Sequence, residues 1–121
     1  MELSVQNEKR LRIISVQSTR IDAAVAVRFK DAMRARIADA PEQVVLDLTQ
    51  VEFIDSSGLG AIVATMKALG AHHKMALAGF TPMVERVFHL TRMDTVFDMF
   101  PTLDAAKAAL GASGHVQNSR G

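Results

Sequence analysis

The chain has no cysteine, no tryptophan and no tyrosine, and only three prolines in 121 residues. Without cysteine there is no disulfide framework, no thiolate nucleophile and no thiolate metal site. Bulky packing falls to six phenylalanines and seven methionines, supported by many Val, Leu and Ala. Neither sign of charge dominates: 14 Lys and Arg stand against 13 Asp and Glu, a formal net of +1. No strong field therefore steers the chain to nucleic acid or to membrane phosphates. No run reaches the ~18 apolar residues of a transmembrane helix. The first segment, MELSVQNEKRLRI, holds no stretch of signal-peptide length. These absences set the expectation of a soluble cytoplasmic protein with no membrane insertion and no direct nucleic-acid contact.

The length fits one small domain. Leu3 to Val5 and Leu11 to Gln17 read as two strands of a hairpin around Asn7-Glu8-Lys9. The basic run Lys9-Arg10-Leu11-Arg12 reads as a solvated turn. Val25, Phe29, Met33 and Ile37 recur at helical spacing, with Asp22 as the expected N-cap and Ala40-Pro41 as the stop. Val44 to Leu48 and Met75 to Phe80 are short apolar runs between helices, as buried strands read. Between them a helix is expected from Ser56 to Leu69, with Leu59, Ile62, Val63, Met66 and Leu69 as its stripe and Gly70 as its cap. Thr81-Pro82 opens a third helix, threonine as its cap and proline at its first position; Val96 to Phe100 reads as a last strand, and Pro101-Thr102 opens a final helix, LDAAKAAL. The order β-β-α-β-α-β-α-β-α makes an α/β domain with helices packed on one sheet. The domain is expected over residues 1–110. Residues 111–121, rich in Gly, Ser and Asn, read as a flexible tail.

Little here suits catalysis. A serine nucleophile needs a base within reach, and His72, His73, His89 and His115 fall in a loop, on a polar helix face and in the tail. Ile54-Asp55-Ser56-Ser57-Gly58 is not a Gly-x-Ser-x-Gly elbow. Gly58-Leu59-Gly60 begins a dinucleotide fingerprint, but Val63 stands where its third glycine belongs. There is no Gly-Lys-Ser/Thr phosphate loop. The adjacent His72-His73 pair lacks a carboxylate at a useful spacing, so no metal site is expected. We expect no enzyme, no catalytic residue and no cofactor.

One segment resists a purely structural account. SSGLG, Ser56 to Gly60, puts two serines and two glycines into the first turns of a helix, where each glycine costs about 1 kcal/mol against alanine. One reading is plain: Asp55 or Ser56 caps the helix and the glycines allow tight packing. The other is a switch. A phosphate on a serine at a helix N-terminus meets free N–H groups and the positive end of the helix dipole. The glycines would clear the surface for a kinase or partner, and Leu59 would stand out as an apolar contact.

Val45-Leu46-Asp47-Leu48, Val51 and Phe53-Ile54-Asp55-Ser56-Ser57-Gly58-Leu59-Gly60 resemble the signature of STAS domains, and more closely that of bacterial anti-sigma factor antagonists. Arg20-Ile21-Asp22 with Phe29, Leu77-Ala78-Gly79-Phe80 with Val84 and Phe88, Met93 to Phe97, and Leu103 to Leu110 extend the likeness over about residues 1–110. The resemblance implies a four- or five-stranded mixed sheet with about four helices mainly on one face. It implies partner switching as well. The unphosphorylated antagonist binds an anti-sigma factor, often itself a serine kinase, and phosphorylation of one serine breaks the complex. A PP2C-type serine phosphatase restores it. The phosphorylated position maps to Ser57, with Ser56 the second choice. Asp55 would hold the loop, and Asp22, Asp55, Ser56, Gly58, Leu59 and Gly60 would form the partner surface. One departure stands out: the family often has glycine shortly before the first-helix aspartate, where this chain has Ser18-Thr19-Arg20. The alternative is a STAS scaffold, or a subunit of a transporter or signalling complex, with no sigma factor in its circuit. Near-zero net charge and an exposed Leu59 would permit a weak homodimer.

Overall fold

The computed structural model describes residues 1–110. The expected tail, 111–121 with His115, lies outside the described residues.

The hairpin is present as β1 (Leu3–Glu8) and β2 (Leu11–Val16), paired antiparallel from Leu3↔Val16 to Glu8↔Leu11. Its turn is tighter than expected and lies at Lys9-Arg10, with Lys9 at φ 42°. A two-residue strand, β3 (Arg20–Ile21), leads to α1 (Ala26–Ile37) and then β4 (Gln43–Asp47). A second short strand, β5 (Phe53–Ile54), runs directly into α2 (Ser56–Leu69). There follow β6 (Lys74–Ala78), α3 (Pro82–Leu90), a 3-10 turn (Met93–Thr95) and β7 (Asp98–Phe100). A last helix, α4, covers residues 103–110.

The five-stranded sheet has the order β1-β2-β4-β6-β7, with β1 antiparallel and the other pairings parallel. β4 and β6 are central, which is why Val44, Val45, Leu46, Met75, Ala76 and Leu77 read as unbroken apolar runs. α1, α2 and α3 cover one face. Phe29, Met33, Ile62, Val84 and Phe88 are buried there with Ile14, Leu46 and Leu77. The opposite face carries a smaller core of Leu11, Ile13, Val45, Ala76, Ala78 and Ala106, closed by α4. The expected architecture, a mixed sheet with its helices mainly on one side, is therefore the observed one.

Three local expectations are corrected. The Arg12 end of the basic run is not a solvated turn: the Arg12 side chain donates to Asn7 Oδ1, the Arg36 carbonyl and Asp39 Oδ1 at 2.7–2.8 Å, fastening the hairpin to the end of α1. Thr81 does not cap α3 with its side chain, because its hydroxyl donates to the Val51 carbonyl at 3.0 Å. Asp22 is not the N-cap of α1, which starts at Ala26 with Val25 as an N-cap lacking any side-chain bond. The Asp22 carboxylate instead takes the Ala24 N–H at 3.2 Å, closing a turn ahead of the helix.

Candidate functional site: the joint between β3 and α2

β3 and β5 form a separate two-stranded parallel ribbon, with Arg20 opposite Phe53 and Ile21 opposite Ile54. The Phe53 N–H and the Glu52 N–H both reach the Thr19 carbonyl, at 3.1 and 2.8 Å. Ile21 and Ile54 are buried under α2. The ribbon thus sets the turn after β3 against the first turn of α2, which brings Asp22 and Asp55 to one place from 33 residues apart.

Asp55 is the fastening. It is the N-cap of α2, with extended backbone (φ −112°, ψ −174°), and its Oδ1 accepts the Gly58 N–H at 2.9 Å. Its other oxygen, Oδ2, accepts the Ala23 N–H of the opposite turn at 3.0 Å. Its own N–H points to the Ile21 carbonyl at 3.4 Å. One carboxylate therefore satisfies a donor at the start of its own helix and one across the joint. The Gly58 N–H above all, then those of Ala23 and Ser57, hold the Asp55 carboxyl below its ordinary 3.8, against a desolvation that pushes it up.

The two glycines have different reasons. A Cβ on Gly58 would fall 2.7 Å from the Ile21 carbonyl carbon and still closer to its oxygen. Only glycine lets α2 close onto β3 at this point. Gly60 is exposed, and a Cβ there would meet nothing within 4 Å. The packing account thus explains Gly58, while an open surface is what Gly60 provides.

Ser56 and Ser57 are the first two residues of α2 and both are exposed. Leu59 is not the exposed contact expected of it. It is only 9% exposed and packs into the main core, because one helical turn places it on the same stripe as Ile62. The apolar basis for a weak homodimer at this spot is removed with it.

Arg20, which in the sequence stands out only as a departure from the family's glycine, is a member of the site. Its guanidinium lies over the Phe53 ring, 4.3 Å from the centroid, and its Nε donates to Asp22 Oδ2 at 3.0 Å. The side chain of Arg20 stays 56% exposed while that of Asp22 is only 19% exposed.

The histidines stand elsewhere. His73 lies against the Ala40 carbonyl at 3.2 Å, and His89 pairs with Asp94 at 3.0 Å beside an open cleft of about 480 Å³ lined by α3 residues together with Asp94 and Met99. Among the described residues no set of three or more His, Asp or Glu gathers as a metal ion would require. Among them, too, no helix is long and apolar enough to cross a membrane.

The molecule is an α/β domain with a short ribbon docked under the N-terminus of a capped, serine-bearing helix on a five-stranded mixed sheet, and its family follows from comparison. Residues 2–106 match the STAS domain model, and the chain belongs to that family. It is 30% identical over 104 residues to the anti-sigma-F factor antagonist RsfB of Mycobacterium tuberculosis, covering 86% of this chain and 84% of that protein. The crystal structure of an anti-sigma factor antagonist from Mycobacterium paratuberculosis superposes with a TM-score of 0.81 at 35% identity, over 90% of this chain and 92% of the other. A STAS domain protein from Planctomyces limnophilus has the same fold, with a TM-score of 0.82 at 24% identity over 90% and 97% of the two chains.

Proposed function

We propose that this chain is an anti-sigma factor antagonist whose binding is switched by phosphorylation at Ser57. The observation that carries the reading is the joint itself in a chain whose relatives are anti-sigma factor antagonists. Ser57 is exposed at the second position of α2, next to a carboxylate that ties two loops together. In the unmodified state the surface formed by Asp22, Ser56, Ser57 and Gly60 takes the anti-sigma factor. Leu59 and Gly58 support that surface from below. A phosphate on Ser57 adds roughly −1.5 to −2 charges. The helix N-terminus tolerates that charge within the fold, but a partner surface built against a neutral hydroxyl does not. An anti-sigma factor that is also a serine kinase would close such a circuit, and a PP2C-type phosphatase would reset it. Ser56, one residue earlier and also exposed, is the alternative acceptor.

Intact mass and phosphopeptide mapping of the protein from its own cells test this directly. A single phosphate on Ser57, together with binding of a purified anti-sigma factor by the unmodified form alone, is the expected result. Absence of phosphate under every growth condition would overturn the switch and leave a STAS scaffold or a transporter or signalling subunit.

A further inference from the structure

We infer that Arg20 is the specificity determinant of the docking surface, and that the partner meets it with a carboxylate. The inference rests on the antagonist reading above and deepens it. An exposed arginine ordinarily samples many rotamers, and holding it costs entropy on binding. Arg20 is held already. Phe53 supports its flat face and Asp22 takes its Nε, yet more than half of the side chain faces outward. Nε is taken by Asp22, and neither terminal nitrogen of the guanidinium has a hydrogen-bond partner among the described residues, so the two terminal nitrogens remain to receive a planar anion end-on. The Asp22 carboxylate is spoken for by Arg20 Nε and the Ala24 N–H, and that of Asp55 by the Gly58 and Ala23 N–H groups. The Asp22 and Asp55 carboxylates are thus engaged in holding the joint, while Arg20 keeps unengaged donors facing outward. The fitting partner surface carries an Asp or Glu opposite Arg20.

The test is calorimetric titration of the full chain with each purified anti-sigma factor encoded in the same genome, for wild type, Arg20→Ala, Arg20→Lys and Arg20→Glu. Melting temperatures identify any variant that fails to fold, and Arg20→Lys, which keeps the charge and the stem, serves if Arg20→Glu does. The expected result is a loss of about 10-fold in affinity for Arg20→Ala, a loss about 100-fold or greater for Arg20→Glu, and incomplete rescue by Arg20→Lys, which lacks the fork. Reversal of one carboxylate on the partner to arginine should restore binding to Arg20→Glu. Binding within 2-fold of wild type for Arg20→Ala, or tighter binding by Arg20→Glu, overturns the assignment while leaving the antagonist reading intact. Failure of the wild-type chain to bind any of these anti-sigma factors overturns both.

Discussion

Gly58→Ala and Gly60→Ala are one chemical change made two residues apart on the same helix, and they should move stability in opposite directions. At position 58 the new Cβ would sit 2.7 Å from the Ile21 carbonyl carbon and 3.0 Å from Ile21 Cγ2. Carbon pairs rest at about 3.5–4.0 Å and the carbonyl oxygen lies closer still, so helix and strand must part by about 1 Å or more. The strand has little room to yield, because Ile21 is paired with Ile54 and its carbonyl receives the Asp55 N–H. Overpacking costs about 1–3 kcal/mol, and a contact with fixed backbone belongs at the upper end. Replacing a helical glycine returns about 1 kcal/mol. The net is a loss of about 2 kcal/mol, or roughly 8–10 °C in Tm for a domain of this size. At position 60 the Cβ meets nothing within 4 Å. Only the helix propensity remains there, a gain of about 0.5–1 kcal/mol and roughly 2–5 °C. Thermal melts by circular dichroism, with urea titrations to check that the m-value is unchanged, measure both. Gly58 has no positive φ to confound the comparison. A Gly58→Ala protein that melts at or above wild type would refute the close-approach argument, as would two variants that shift in the same direction.

Leu59→Ala should destabilise the domain by about 2–4 kcal/mol, as a core truncation does, and a urea midpoint unchanged from wild type would return Leu59 to the surface. Asp55→Asn should flatten the acid limb of the stability–pH profile. The folded carboxyl lies below its unfolded value, so its stabilisation is complete above about pH 4 and is lost as pH falls through the lower folded value; an unchanged acid limb in urea titrations from pH 5 to pH 2 would contradict this. Ser57→Asp should keep the wild-type melting temperature within about 2 °C and lose binding to the anti-sigma factor, whereas Ser57→Ala binds constitutively; equal calorimetric affinities for the two variants would sink the electrostatic switch.

The parts of this fold that could be read from the chain are those in which one segment carries its own reasons. α2 runs from Ser56 to Leu69 as the Asp55 cap, the apolar stripe and Gly70 imply, and Gly70 has the positive φ, 83°, that favours glycine. The central strands announce themselves by being apolar on both faces. What escaped local reading depends on a distant partner. β3 and β5 are two residues each, too short to show alternation, and exist because they pair with one another. Asp22 has the chemistry of an N-cap, yet the Ala23 N–H beside it is taken by Asp55 from 32 residues away, and the helix begins later. Leu59 lies on an apolar stripe and also in a functional motif; only the packing of α2 over the sheet decides that the stripe prevails.

The same dependence bears on why the serines sit where they do. A hydroxyl at the start of a helix is common, and a cap alone would explain it. A carboxylate that divides its two oxygens between its own helix and a neighbouring loop is a stronger constraint, since moving it releases both. Gly58 adds to this by removing any side chain that could cushion α2 against β3. The helix end, the ribbon and the turn before α1 are therefore tied together without a spacer, and Ser57 stands at the surface of that joint. On the proposed reading, charge added there would act on a partner through a face fastened at several points and not through a loose loop. On this argument the effect of phosphorylation should come from the interface, with the sheet and the helix stripes left as they are. The carboxylate beside Ser57 accepts one N–H from its own helix and one from the opposite turn, so any change at Ser57 is made on a face that this carboxylate holds in place.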